Sequence, residues 1–101
     1  MSKFILASAA RLDLIEIWNY YADEVGDPDL ADRMRGEIFE GIRTVAGKPN
    51  PGHLRRDLAS ESLRFWRVRN YLIIYRRQAA PIQVVRILHA ARNVRAVLGE
   101  T

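Results

Sequence analysis

The chain has 101 residues, with 16 Lys and Arg against 12 Asp and Glu, two His, no Cys and 49% hydrophobic residues. A chain of this length buries roughly 65% of the surface that its unfolded form exposes, enough for one core and a single domain over residues 1–101, not for a multi-site enzyme. Without Cys there is no disulfide framework, no Cys-ligated zinc or iron and no thiol nucleophile.

At the N-terminus, Lys3 precedes Phe4, Ile5 and Leu6 and the small run Ala7, Ser8, Ala9 and Ala10, which imitates a signal-peptidase site. The apolar segment is shorter than the about 7–15 residues of a secretory h-region, and Arg11 and Asp13 follow at once. No run approaches the roughly 18–20 apolar residues of a membrane span. The expectation is a soluble, cytoplasmic protein with no membrane partner.

Residues 3–6 read as a short strand. Ser8 offers an N-cap for a helix running to about Val25, with Asp13 near the positive end of its dipole. Leu14, Ile17, Trp18, Tyr21 and Val25 fall on one face of that helix, Leu12 and Ile15 widen the stripe, and Gly26 ends it. Asp27 then caps a second helix, with Pro28 at its first position and Asp29 in its first turn. Leu30, Met34, Ile38, Ile42 and Val45 form its apolar stripe, and Gly47, Pro49, Pro51 and Gly52 stop it. The short connection folds the two helices back as an antiparallel hairpin.

Residues 53–61 are polar and charged and read as a loop with room for a turn of helix. The segments 62–68, 71–77 and 82–89 are rich in β-branched and aromatic residues, separated by Arg69-Asn70 and by Gln78 to Pro81. They predict three antiparallel strands in a meander. The predicted fold is α+β: an N-terminal strand, an antiparallel α-helical hairpin and a three-stranded antiparallel meander.

Charge divides the chain. Residues 1–50 carry six basic and nine acidic side chains, a balance of −3, and residues 51–101 carry ten basic and three acidic, a balance of +7. Such a half attracts a polyanion, nucleic acid or an acidic protein segment, and the field alone does not say which. Fourteen of the sixteen cations are Arg, whose planar fork suits carboxylate and phosphate.

Both faces of the predicted sheet carry apolar side chains. In the last strand Ile82, Val84 and Leu88 are expected on one face, with Val85 and Ile87 on the other; in the middle strand Ile73 opposes Leu72 and Ile74. Two helices cover one face of such a sheet, so the other needs a partner with apolar and acidic groups, or long Arg side chains lying over it.

Several segments in order carry a family resemblance: the early strand leading into AARLDLIEIWNYYAD (9–23), the KPNPG stretch with LRRDL (48–58), LRFWRV (63–68) into YLIIYR (71–76), and VVRILHAAR (84–92). Over nearly the whole chain the sequence resembles toxins of the RelE/ParE superfamily, on the ParE side, from bacterial type II toxin–antitoxin modules. The resemblance implies a small sheet backed by a helical hairpin, inhibition of DNA gyrase without turnover, and a cognate ParD-like antitoxin whose C-terminal segment wraps the toxin. Operator DNA is then contacted only through the antitoxin. Candidate gyrase contacts are Arg86, His89, Arg92 and Arg95, with the helix connection near Asp23 to Asp27. Candidate antitoxin contacts are Trp66, Arg67, Leu72, Ile74, Arg76 and Arg77.

The ribonuclease branch of the superfamily gives the alternative. There His89 is the general acid, Arg64, Arg86 and Arg92 clamp phosphate, and Glu61 is a possible base. That branch often gathers Lys and Glu around the sheet, whereas Lys occurs here only at Lys3 and Lys48. A His at a strand end also serves as a hydrogen-bonded structural residue, and strand Arg pairs with helix carboxylates such as Glu16 or Glu37. A third reading is non-catalytic nucleic-acid binding, with Phe65, Trp66, Tyr71 and Tyr75 stacking on bases; packing in half-buried strands accounts for the same aromatics. No metal or cofactor is expected, since His53 and His89 stand alone and no Gly-rich phosphate loop occurs.

Overall fold

A computed structural model of the chain describes residues 3–47, 53–54, 63–76 and 81–91. In chain order the elements are β1 (Phe4–Leu6), α1 (Ser8–Asn19) continuing into a π-helical turn (Tyr20–Glu24), α2 (Pro28–Ala46), β2 (His53–Leu54), β3 (Arg64–Val68), β4 (Tyr71–Arg76) and β5 (Ile82–His89). The strands form one sheet in the order β1-β5-β4-β3-β2. β1 runs parallel to β5, and the other pairings are antiparallel.

The entry into α1 differs from the sequence expectation. Ala7, not Ser8, is the N-cap, and no side chain caps the helix. Ala7 still belongs to the sheet edge through its N–H, which donates to the Val84 carbonyl (2.9 Å), while its own carbonyl accepts from Arg11 N–H (3.0 Å). The chain passes from strand to helix without a turn, so Ser8 is already helical and Asp13 lies well inside the helix, away from its dipole end.

The exit of α1 widens by one residue, with Val25 N–H donating to the Tyr20 carbonyl (3.0 Å). Gly26, at φ 80°, then allows the chain to reverse, and Asp27 N–H reaches back to the Tyr21 carbonyl (2.9 Å). The Asp27 carboxylate caps α2 by accepting from Leu30 N–H (3.1 Å). Trp18 Nε1 donates to Asp32 (3.0 Å) and ties the two helices together.

The hairpin covers one face of the sheet. Ala10, Leu14, Ile17, Met34, Ile38, Ile42 and Val45 pack there against Tyr71, Ile73, Tyr75, Ile82, Val84 and Ile87. The α2 stripe is as expected, but that of α1 is narrower: Leu12 is 59% and Ile15 52% exposed, and Val25 is exposed too. α1 lies over the β5 side of the sheet, so only a narrow arc of its surface meets a neighbour.

Two strand expectations change. His53–Leu54, within the segment read as loop, pairs with Phe65 and Arg64 as an added edge strand; two residues are too few for any periodicity to announce. In β5, Ile74 pairs with Arg86 but Tyr75 with Val84, so Val85 is an extra, bulged residue. The bulge flips the alternation: Ile82, Val84 and Ile87 face the helices, and Leu88 joins the opposite face.

Much of that opposite face is buried, where the sequence predicts an apolar face that lacks a cover. Leu63, Phe65, Ile74 and Leu88 are buried there, and only Leu72 and Val85 remain half-buried.

Helix α2 comes close to the sheet at Gly41, where a Cβ would collide with Val68 Cγ2 and lie 3.1 Å from Ile73 Cδ1. Gly36, on the same helix, has open space around it. Gly36→Ala should therefore raise stability by about 1 kcal/mol through helix propensity. Gly41→Ala should lower it by about 1–3 kcal/mol through overpacking. Urea unfolding of the two variants reads the contrast, and equal stabilisation by both would refute this packing of α2.

Candidate functional site

The cationic candidates are held very differently from one another. Asp13, 6% exposed on the sheet-facing side of α1, accepts from Arg86 Nε (2.8 Å) and Nη2 (3.0 Å) and from the Ile87 backbone N–H (2.9 Å). β1 pairs with β5 only as far as Val84. The carboxylate thus satisfies a strand N–H beyond the end of β1 and neutralises a guanidinium whose side chain is only 16% exposed. Arg86, expected at a phosphate clamp or a gyrase contact, is engaged inside the fold.

His89 ends β5 opposite Tyr71, exposed, with its ring edge-on to the Tyr71 ring at 5.4 Å. Its Nδ1 accepts from Ala91 N–H (3.1 Å). Arg64 pairs with Tyr75, which pairs with Val84, whereas His89 pairs with Tyr71. Four residues of strand, roughly 14 Å, and the width of β4 separate Arg64 from His89. The expected approach of Arg64 to His89 does not occur. Arg92, Arg95 and Glu61 lie outside the described residues.

The candidate antitoxin contacts do not share one surface. Leu72, Ile74 and Arg76 alternate onto the sheet face away from the helices, with Arg67 opposite Leu72. Trp66 is paired with Ile73 and packs against the helix-side core. Ile74 is fully buried, Leu72 and Arg76 are half-buried, and Arg67 is exposed with its Nε donating to the Arg69 carbonyl (2.7 Å). Arg77 lies outside the described residues.

The pairing of an Arg with a helix carboxylate holds for Glu37, which meets Arg69 in the β3–β4 turn at 2.8–3.0 Å. This bridge holds the Glu37 carboxyl below its ordinary pKa and the guanidinium above its own. Arg69 takes φ 53°, a left-handed conformation that a two-residue hairpin turn requires of its first residue. Glu16 makes no such pair; its place is taken by Asp13, which sequence reading assigned to the helix dipole. The available signal was a carboxylate on the apolar arc of α1, between Ala10 and Leu14, in a chain with Arg inside an apolar strand.

Sequence reading also missed a tyrosine cluster. Tyr71 O–H donates to Tyr21 Oη (3.3 Å), and Tyr20 lies edge-on to Tyr21 at 5.0 Å. Burial, and then the bond to Tyr21, push the Tyr71 phenol well above its ordinary pKa. Among the described residues, no group of three His, Asp or Glu is placed to hold a metal ion, and no helix is long and apolar enough to cross a membrane.

Comparison with known proteins places this arrangement among relatives. The family described as ParE toxin of type II toxin–antitoxin system, parDE, matches residues 4–94. The protein named Toxin ParE1 from Caulobacter vibrioides is 28% identical over 99 residues, covering 98% of this chain and 100% of that protein. A solved structure of the chromosomal ParDE TA system from P. aeruginosa superposes with a TM-score of 0.73 at 22% identity, over 88% of this chain and 96% of that one. The last likeness establishes the shared fold.

Removing the Asp13 carboxylate strands both a mostly buried guanidinium and a strand N–H, so Asp13→Ala should cost about 3–5 kcal/mol. Chemical denaturation measures it, and a loss under about 1 kcal/mol would mean that water replaces the carboxylate without penalty. Because the folded-state pKa of Tyr71 is raised, its contribution is complete below the unfolded value of about 10 and is lost as pH climbs above it. Stability should fall on alkalinisation, less steeply in Tyr71→Phe; identical alkaline slopes would contradict this.

Proposed function

Because this chain belongs to the ParE toxin family of type II toxin–antitoxin systems, we propose that it inhibits DNA gyrase by protein–protein binding, without turnover, and that a ParD-like antitoxin neutralises it in the cytoplasm. The family match over residues 4–94 carries this reading. The chemistry of the site supports it. A phosphate-cleaving centre needs cations converging on a proton donor, whereas Arg86 is taken by Asp13 and Arg64 sits at the far end of the sheet from His89. An inhibitor needs a surface instead. His89 is exposed at the end of β5, and Arg92 and Arg95 follow it in sequence; these three are the proposed gyrase contacts.

For the antitoxin, the sheet face away from the helices offers Arg67 and Arg76 around half-buried Leu72 and Val85. A segment with apolar side chains flanked by carboxylates matches that combination and the +7 balance of residues 51–101. The likeness to a chain of the P. aeruginosa ParDE system supports the same kind of partner. Operator DNA is contacted through the antitoxin.

The purified chain added to a gyrase supercoiling reaction should suppress supercoiling and accumulate cleaved DNA. The protein encoded beside it should restore activity, while RNA incubated in parallel stays intact. Undiminished supercoiling would overturn the gyrase assignment, and RNA degradation abolished by His89→Ala would replace it with a ribonuclease.

A further inference from the structure

Between the C-terminal half of α1 and the ends of β4 and β5 lies a cavity of about 130 Å³, walled by Asp13, Glu16, Tyr20, Tyr71 and His89 over Ile87. Small-molecule sites run to roughly 300–1,000 Å³, so this one accommodates a single side-chain head rather than a nucleotide or a cofactor. Its electrostatics run against the sign of the chain as a whole. Asp13 is neutralised by Arg86, whereas Glu16 is exposed and makes no ion pair among the described residues. His89 accepts at Nδ1 from the Ala91 N–H (3.1 Å). Among the described residues the cavity thus presents one carboxylate with no ion-pair partner, Glu16, beside the aromatic rings of Tyr20 and Tyr71.

Aromatic rings beside a free carboxylate suit a cation, through the ring quadrupole and a charge-assisted hydrogen bond. A guanidinium fits this setting better than an ammonium, since it is planar, weakly hydrated, stacks on aromatic rings and presents a fork to a carboxylate. We propose that this cavity is a receptor for an arginine side chain presented by a partner protein, with Glu16 as its counter-ion and Tyr20 and Tyr71 as its aromatic walls. The cavity shares His89 with the proposed gyrase contacts, but the inference does not require gyrase, and the acidic ligand expected on the basic half would be repelled here.

The test is an NMR titration of the whole chain with N-acetyl-arginine amide, its neutral isostere N-acetyl-citrulline amide, and N-acetyl-lysine amide. Arginine should shift the ring resonances of Tyr20, Tyr71 and His89 saturably, with citrulline at least ten-fold weaker and lysine intermediate. Glu16→Gln, at an exposed position, should weaken arginine about ten-fold while leaving the resting Tyr71 and His89 ring shifts in place. The proposal fails if no saturable shift occurs at these rings, if citrulline or lysine matches arginine, or if Glu16→Gln binds arginine as the unaltered chain does.

Discussion

The carboxylate of Asp13 is the constraint on which the placement of α1 depends. Three donors converge on it, two from the Arg86 guanidinium and one from the Ile87 backbone. β1 is only three residues long, so among the described residues part of the β5 edge has no strand beside it. An unsatisfied strand N–H at a buried edge costs as much as a lost hydrogen bond, and a helix that brings its own carboxylate there removes that cost. The same contact fixes how α1 rotates about its axis. With Asp13 turned inward, Leu14 and Ile17 follow it into the core, and Leu12 and Ile15 turn outward.

Consequences for function follow from that geometry. Arg86 is counted among the cations of the basic half, yet its charge is cancelled within the fold. Among the described residues, two regions of the surface differ in character. The sheet face away from the helices carries exposed Arg67 beside half-buried Leu72. The mouth between α1 and β5 carries Glu16 and aromatic rings. Like-charged patches compete for the same ligand while unlike ones do not.

Much of the architecture is legible from local signals. The Asp27-Pro28 start and Gly47 end of α2, its stripe of Leu30, Met34, Ile38, Ile42 and Val45, and the Arg69-Asn70 turn all act within a few residues of themselves. The site is less legible, because each of its features joins distant positions. Asp13 and Arg86 are 73 residues apart and Tyr21 and Tyr71 are 50 apart, and neither pair leaves a periodic trace.

The sequence by itself determined the α+β composition, the order of the helical hairpin and main strands and the charge asymmetry, because periodicity, caps and composition are properties of contiguous residues; the family came from the resemblance of segments in order along the chain. Only the tertiary structure decided which sheet face Leu88 occupies, that Trp66 and Ile74 lie on opposite sides, that Arg64 stays away from His89, and that Leu63, Phe65, Ile74 and Leu88 are buried on the second sheet face. The physical reason is register. A single bulged residue at Val85 inverts everything after it, and whether a face is covered depends on the packing of the whole chain rather than on the alternation of one strand.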